Sequence, residues 1–132
     1  MTEDLPLILL VEDDADTAAL YSAMLAAEGM EVVHCADCAE ALRWWLKASR
    51  RPDLMVVDMR LPDGDGVELC RSLLTQEPAM PPIMILSAHG DPRMPSLCQR
   101  AGAAAFLDKL SGMDRFVDTA RGLIHNPAYI RA

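Results

Sequence analysis

Residues 54–66 read LMVVDMRLPDGDG. The apolar run that opens this stretch reads as a buried strand, yet it ends on a carboxylate, Asp58. An unpaired carboxylate is costly inside a core, so Asp58 needs a compensating environment. Either it caps a turn, or it belongs to a site that holds and uses its charge. Asp63 and Asp65 already serve the turn rich in Pro, Asp and Gly that follows. The second reading therefore depends on what the rest of the chain brings to the same place.

Similar apolar runs recur on either side. LPLILLV (5–11), EVVHC (31–35), DLMVVD (53–58), PPIMILS (81–87) and AAAFLDK (103–109) read as five strands. Between them ADTAALYSAMLAAEG (15–29) sets Ala18, Tyr21 and Leu25 at helical spacing, with Gly29 as a stop. CAEALRWWLKAS (38–49) puts Ala41, Leu42, Trp45 and Leu46 on one stripe behind Asp37 as N-cap, turning Trp45 to the core and Trp44 to its edge. VELCRSLLTQ (67–76) is a third helix and GMDRFVDTARGLI (112–124) a fifth. Pro92 and Pro95 predict a short or irregular fourth, because proline is comfortable only in a first turn. Strands alternating with helices predict an α/β fold, a parallel sheet with helices on both faces.

Composition bounds the function. The 132 residues suit a single domain, with a core over 5–124 and a short C-terminal tail over 125–132. At 52% hydrophobic and 24% charged residues the chain packs rather than stays disordered. A formal net charge of -8 with scattered basic residues leaves no footprint for direct nucleic-acid binding. MTEDLPLILLVEDD resembles neither a signal peptide nor a membrane span, which makes the cytoplasm the expected location. Cys35 and Cys38 form a CxxC, but no second pair supplies further ligands; with Cys70 and Cys98 they read as reduced, core-filling thiols.

The decisive pattern lies at the strand ends. Strand one runs into Glu12, Asp13 and Asp14; strands three, four and five end at Asp58, Ser87 and Lys109. In an open parallel sheet these ends share one edge, the edge at which such folds bind ligands. Several carboxylates in one crevice repel one another unless a cation lies between them. With only oxygen ligands on offer, Mg2+ is the expected ion, completing its shell with water and phosphate oxygens. An Asp carboxylate can attack phosphorus to give an aspartyl phosphate, whose oxygens Ser87 and Lys109 could receive.

VEDD (11–14), VVDMRLPDGDG (56–66), ILSA (85–88) and FLDK (106–109), in this order at strand ends, resemble the receiver domain of two-component response regulators over nearly all of residues 5–124. The resemblance implies a flavodoxin-like, doubly wound (βα)5 fold with strand order 2-1-3-4-5. It implies a signalling receiver rather than a turnover enzyme, one that catalyses its own phosphotransfer and dephosphorylation. Asp58 would accept phosphoryl from a histidine kinase or histidine phosphotransfer protein. Glu12, Asp13 and Asp58 would hold Mg2+, assisted by the backbone carbonyl of Arg60; Ser87 would be the switch hydroxyl, Lys109 the phosphate contact and Phe106 the aromatic that changes rotamer. The readout surface would comprise helix four, strand five and helix five, serving an effector domain or downstream protein. A homodimer through that surface has no distinct signal here. His89 lies near a position that tunes phosphate lifetime in the family. Leu110 stands where the family usually has proline, which argues against a cis peptide after Lys109.

Two other classes stay in view. A hydrolase with an aspartyl nucleophile would place a second carboxylate close after it as general acid, where this chain has Arg60. A degenerate receiver, binding partners without phosphorylation, would not need the set Glu12, Asp13, Asp58, Ser87 and Lys109.

Overall fold

The computed structural model describes residues 5–76, 80–88 and 92–125. Strands β1 (Leu7–Val11), β2 (Glu31–Cys35), β3 (Leu54–Asp58), β6 (Ile83–Ser87) and β7 (Ala105–Asp108) form one parallel sheet in the order β2-β1-β3-β6-β7. Counting only this sheet, the order is 2-1-3-4-5, as expected. The three continuous apolar runs become the three central strands, buried at every position, while β2 and β7 are half-covered edges.

Because side chains alternate along a strand, the central strands feed two separate cores. Leu9, Val11, Met55, Val57, Ile83 and Ile85 face α2 (Cys38–Lys47), α3 (Gly66–Gln76) and α4 (Met94–Arg100). Ile8, Leu10, Leu54, Val56, Met84 and Leu86 face α1 (Ala15–Ala27) and α5 (Met113–His125). A one-residue slip of any central strand would exchange these faces, which fixes the register and hence the alignment of the strand ends.

Several local expectations need correction. The helices end differently at the margins: α1 stops at Ala27, α2 stops at Lys47, and α5 is displaced by one residue. Leu46 does not join the α2 stripe; it is 74% exposed, whereas Trp45 is buried and Trp44 half-buried. The last strand is confined to Ala105–Asp108, and Lys109 opens a 3-10 turn, Lys109–Ser111, whose peptides are trans. The turn after Asp58 contains a small antiparallel hairpin, β4 (Arg60–Leu61) with β5 (Gly64–Asp65). Helix α4, by contrast, is short as expected, with Pro95 in its first turn and no side-chain cap.

Gly29 ends α1 as expected, and the mechanism is visible. Its φ is +82°, and the amides of Gly29 and Met30 donate to the carbonyls of Ala26 and Leu25 at 3.0 and 3.1 Å, closing the helix with a left-handed residue. A Cβ at Gly29 or at Gly122, inside α5, would meet nothing within 4 Å. Gly29→Ala is therefore expected to destabilise the fold by about 1 kcal/mol and Gly122→Ala to stabilise it by about 0.5–1 kcal/mol, opposite signs from backbone conformation alone. Urea denaturation of the two variants measures both.

Candidate functional site

The carboxyl ends of β1, β3, β6 and β7 lie together on one edge of the sheet. Asp58 pairs in register with Leu86, and Ser87 with Asp108, so that Lys109 emerges one residue beyond the ladder. Its ammonium reaches back across the sheet to Glu12 Oε1 at 2.9 Å and Asp58 Oδ2 at 3.2 Å. Burial alone would push the Lys109 pKa down; the hydrogen bond it donates to Glu12 and the charges of Asp58 and Glu12 outweigh it and hold the value above that of an ordinary lysine.

Glu12, Asp58 and Ser87 are the buried polar residues, at 1%, 8% and 7% exposure, among the described residues. Glu12 is held on both oxygens, since the Asp14 amide donates to Oε2 at 3.1 Å. Its carbonyl lies 2.7 Å from His34 Nε2, fixing the turn after β1 to the edge strand. Asp13 is exposed, and one oxygen each from Glu12, Asp13 and Asp58 lies within 4.8 Å of the others. Three carboxylates against one ammonium leave two negative charges in excess, the charge of one divalent cation. The donor set is all hard oxygen, which suits Mg2+.

Beside Asp58 opens a cavity of about 160 Å³, bounded by Arg60, Ser87, Lys109 and, from α4, Met94. That equals about five water molecules at liquid density, enough space for a phosphoryl group. Of the residues singled out in the sequence, Glu12, Asp13, Asp58, Arg60, Ser87 and Lys109 converge here. Phe106 does not line the cavity. Half-buried, it packs against the core shared by α2, α3 and α4. His89 lies outside the described residues.

The neighbouring acids have other duties. Asp14 caps α1 through the amide and hydroxyl of Thr17, the amide at 2.9 Å, and Asp65 caps α3 by accepting from the Glu68 amide at 2.8 Å. Both carry a local signal, a capping carboxylate three residues before its partner. Asp63 does not serve its own turn: it accepts from the amides of Cys38 and Ala39 at 2.9 Å each, at the start of α2. Twenty-four residues or more separate these partners in sequence, and no local pattern marks them. Gly66 is required by a close approach, for a Cβ there would stand 3.0 Å from the Asp58 carbonyl oxygen.

Cys35, Cys38, Cys70 and Cys98 form no disulfide among the described residues. Burial, reinforced by nearby carboxylates, pushes Cys35 up to about 11 and Cys38 up to about 12. The thiolate is the nucleophile. Iodoacetamide at pH 8 should therefore label Cys38 in the folded protein more than about tenfold slower than in the urea-unfolded chain, as peptide mass spectrometry can measure.

Lys109 carries a second expectation. Lys109→Met leaves the buried Glu12 without its cation and should destabilise the Mg2+-free protein by about 1–3 kcal/mol, with added Mg2+ recovering part of the loss. Equilibrium unfolding with and without the ion checks this.

Comparison with known proteins gives a consistent result. The family model for the response regulator receiver domain matches residues 8–121. Response regulator GacA of Pseudomonas aeruginosa is 33% identical over 126 residues, covering 92% of this chain and 57% of that protein. The KDP operon transcriptional regulatory protein KdpE of Escherichia coli is 34% identical over 108 residues, covering 80% of this chain and 45% of that protein. The chain thus spans about half the length of these curated relatives. Among solved structures, a response regulator from Chloroflexus aurantiacus superposes with a TM-score of 0.84 at 30% identity, covering 93% of this chain and all of that one (100%). A receiver domain of a signal transduction histidine kinase from Syntrophus aciditrophicus superposes at 0.80 with 29% identity, covering 91% of this chain and 90% of that one.

Proposed function

The chain belongs to the response regulator receiver domain family, and from that premise we propose that Asp58 is its phosphoacceptor, taking a phosphoryl group from a phosphohistidine of a histidine kinase or phosphotransfer protein. The observation that carries this reading is the Lys109 ammonium set between Asp58 and Glu12 at the mouth of the cavity. A carboxylate oxygen of Asp58 attacks phosphorus as the phosphorus–nitrogen bond breaks, and the electron pair leaves with the imidazole. Lys109, already close to Asp58, supplies positive charge to the transferred group. Ser87, at the end of the adjacent strand, donates its hydroxyl to a phosphoryl oxygen.

Glu12, Asp13 and Asp58, with the Arg60 carbonyl, are the residues that would hold Mg2+. When bound, the ion screens the charge that builds on the transferred oxygens. Glu12 also acts on Lys109, whose ammonium it holds beside Asp58 and whose pKa it helps to raise.

The phosphoryl group adds about 1.5–2 negative charges beside Ser87, which draws the hydroxyl toward it. Phe106 shares the register of Ile85, two residues before Ser87, and its partly exposed ring turns inward as the hydroxyl moves. The output surface is then α4, β7 and α5, met by an effector domain or a downstream protein. Residues 5–124 act as one receiver unit, in the cytoplasm; no helix among the described residues is long and apolar enough to cross a membrane.

Incubation with acetyl phosphate and Mg2+ tests the reading. One alkali-labile phosphate per chain is expected, absent in Asp58→Asn and absent with EDTA. Beryllofluoride should shift amide signals near Asp58 and Phe106 in the unmodified protein only. Steady turnover of a phosphate ester with no chain-bound phosphate would favour a hydrolase, and no response to either reagent would leave a phosphorylation-independent binding module.

A further inference from the structure

Helix α2 begins with three amides that have no partner inside the helix, those of Cys38, Ala39 and Glu40. Asp37 satisfies the third from its own N-cap position at 2.8 Å. The first two are taken by Asp63, from the tip of the β4–β5 hairpin. A local cap alone already serves most α-helices, so the second carboxylate calls for another explanation. The hairpin supplies it.

That hairpin has only two ladder pairs, Arg60 with Asp65 and Leu61 with Gly64. A ribbon so short is marginal in water and must be held from outside. Its base is fixed on the site strand: the Gly66 amide donates to the Met59 carbonyl at 2.9 Å, and Gly66 lies against the Asp58 backbone. Its tip is fixed on α2, by Asp63 and by the close packing of Gly64 on Cys38, where a Cβ would stand 3.4 Å from the sulfur. The paired amides hold the Asp63 carboxyl below the usual carboxylate range, so the anchor is charged at neutral pH and gains from the positive end of the helix. Arg60, on the hairpin's first strand, borders the cavity beside Asp58.

We propose that Asp63 is a positioning residue of the phosphoryl site: by pinning the hairpin tip to the N-terminus of α2 it holds Arg60 in place against the cation pocket. The proposal rests on the receiver reading above, in which the Arg60 carbonyl helps hold Mg2+. It makes the first turn of α2 part of the site's support. Coupling of this kind is reciprocal, so loading the pocket tightens the same contact.

Asp37 provides the control, because it caps the same helix without touching the hairpin. Mg2+ affinity is measured by calorimetric titration of the whole chain and of the variants Asp63→Ala, Asp63→Asn and Asp37→Ala. Asp63→Ala should weaken Mg2+ binding about tenfold, as loss of an outer support typically does, while Asp37→Ala stays within about twofold of the parent. Asp63→Asn, which keeps one acceptor oxygen, should fall between them, and it is read in place of Asp63→Ala if that variant fails to fold. Hydrogen exchange supplies a second readout: Mg2+ should slow exchange at the Cys38 and Ala39 amides in the parent and not in Asp63→Ala. Unchanged affinity in Asp63→Ala, or equal losses in Asp63→Ala and Asp37→Ala, would overturn the positioning role and leave the receiver reading standing. A parent protein that binds no Mg2+ would instead bring down the receiver reading, and this inference with it.

Discussion

The fold is arranged around one electrostatic requirement: Glu12 and Asp58 are buried at the end of two neighbouring strands, and a single ammonium lies between them. That ammonium offsets part of the cost of burying the two acids so close together. Lys109 can reach both only because β7 runs parallel to β1 and β3 and the chain then turns through a 3-10 segment instead of continuing the strand. The parallel topology and the two-sided core are therefore conditions for the site and not merely its surroundings. Register matters for the same reason, since a slip in β3 or β6 would carry Asp58 or Ser87 off the edge.

Acidic residues dominate the sequence around the site, and geometry separates them by task. Asp14, Asp37 and Asp65 accept amides three residues ahead, and Asp63 accepts two amides of a distant helix. Each of those four carboxylates caps the start of a helix. Glu12, Asp13 and Asp58 are those whose oxygens face one another, and mutual repulsion is what makes the group receptive to a cation. Counting carboxylates in the sequence would have overstated the site; following their donors reduces it to the members that share a space.

Much of this was legible beforehand for physical reasons. Uninterrupted apolar runs bounded by acids could only be strands covered on two faces, and once five of them alternate with helices the strand ends must share an edge. Gly29 and Pro95 also acted as their backbone chemistry requires. What stayed hidden is tertiary. Leu46 sits on the apolar side of a wheel but is exposed, and Ala41 and Trp45 are the residues of α2 buried in the core. The hairpin after Asp58 depends on an anchor at Cys38 and Ala39, so turn residues alone could not disclose it. Phe106 could be placed on the last strand, but only the folded chain shows its ring against the α2, α3 and α4 core and away from the cavity.

On the proposed receiver reading, the balance of charges would give the site its capacity to switch. Locally the fold tolerates an excess of negative charge that a purely structural design would remove, a conflict between levels of the kind expected where stability yields to function. That excess costs stability while the pocket holds protein groups only, and it lowers the free energy of states in which cation and phosphoryl oxygens share Lys109. Ser87 and Phe106 belong to the face shared with α4, the shortest of the main helices, which begins without a side-chain cap. Helix α4 thus adjoins the cavity through Met94, where charge would change, whereas α2 is held by two carboxylates at its first turn. On the proposed receiver reading, charge added at Asp58 would act on α4, which reaches the cavity through Met94, rather than on α2, whose first turn is held by Asp37 and Asp63.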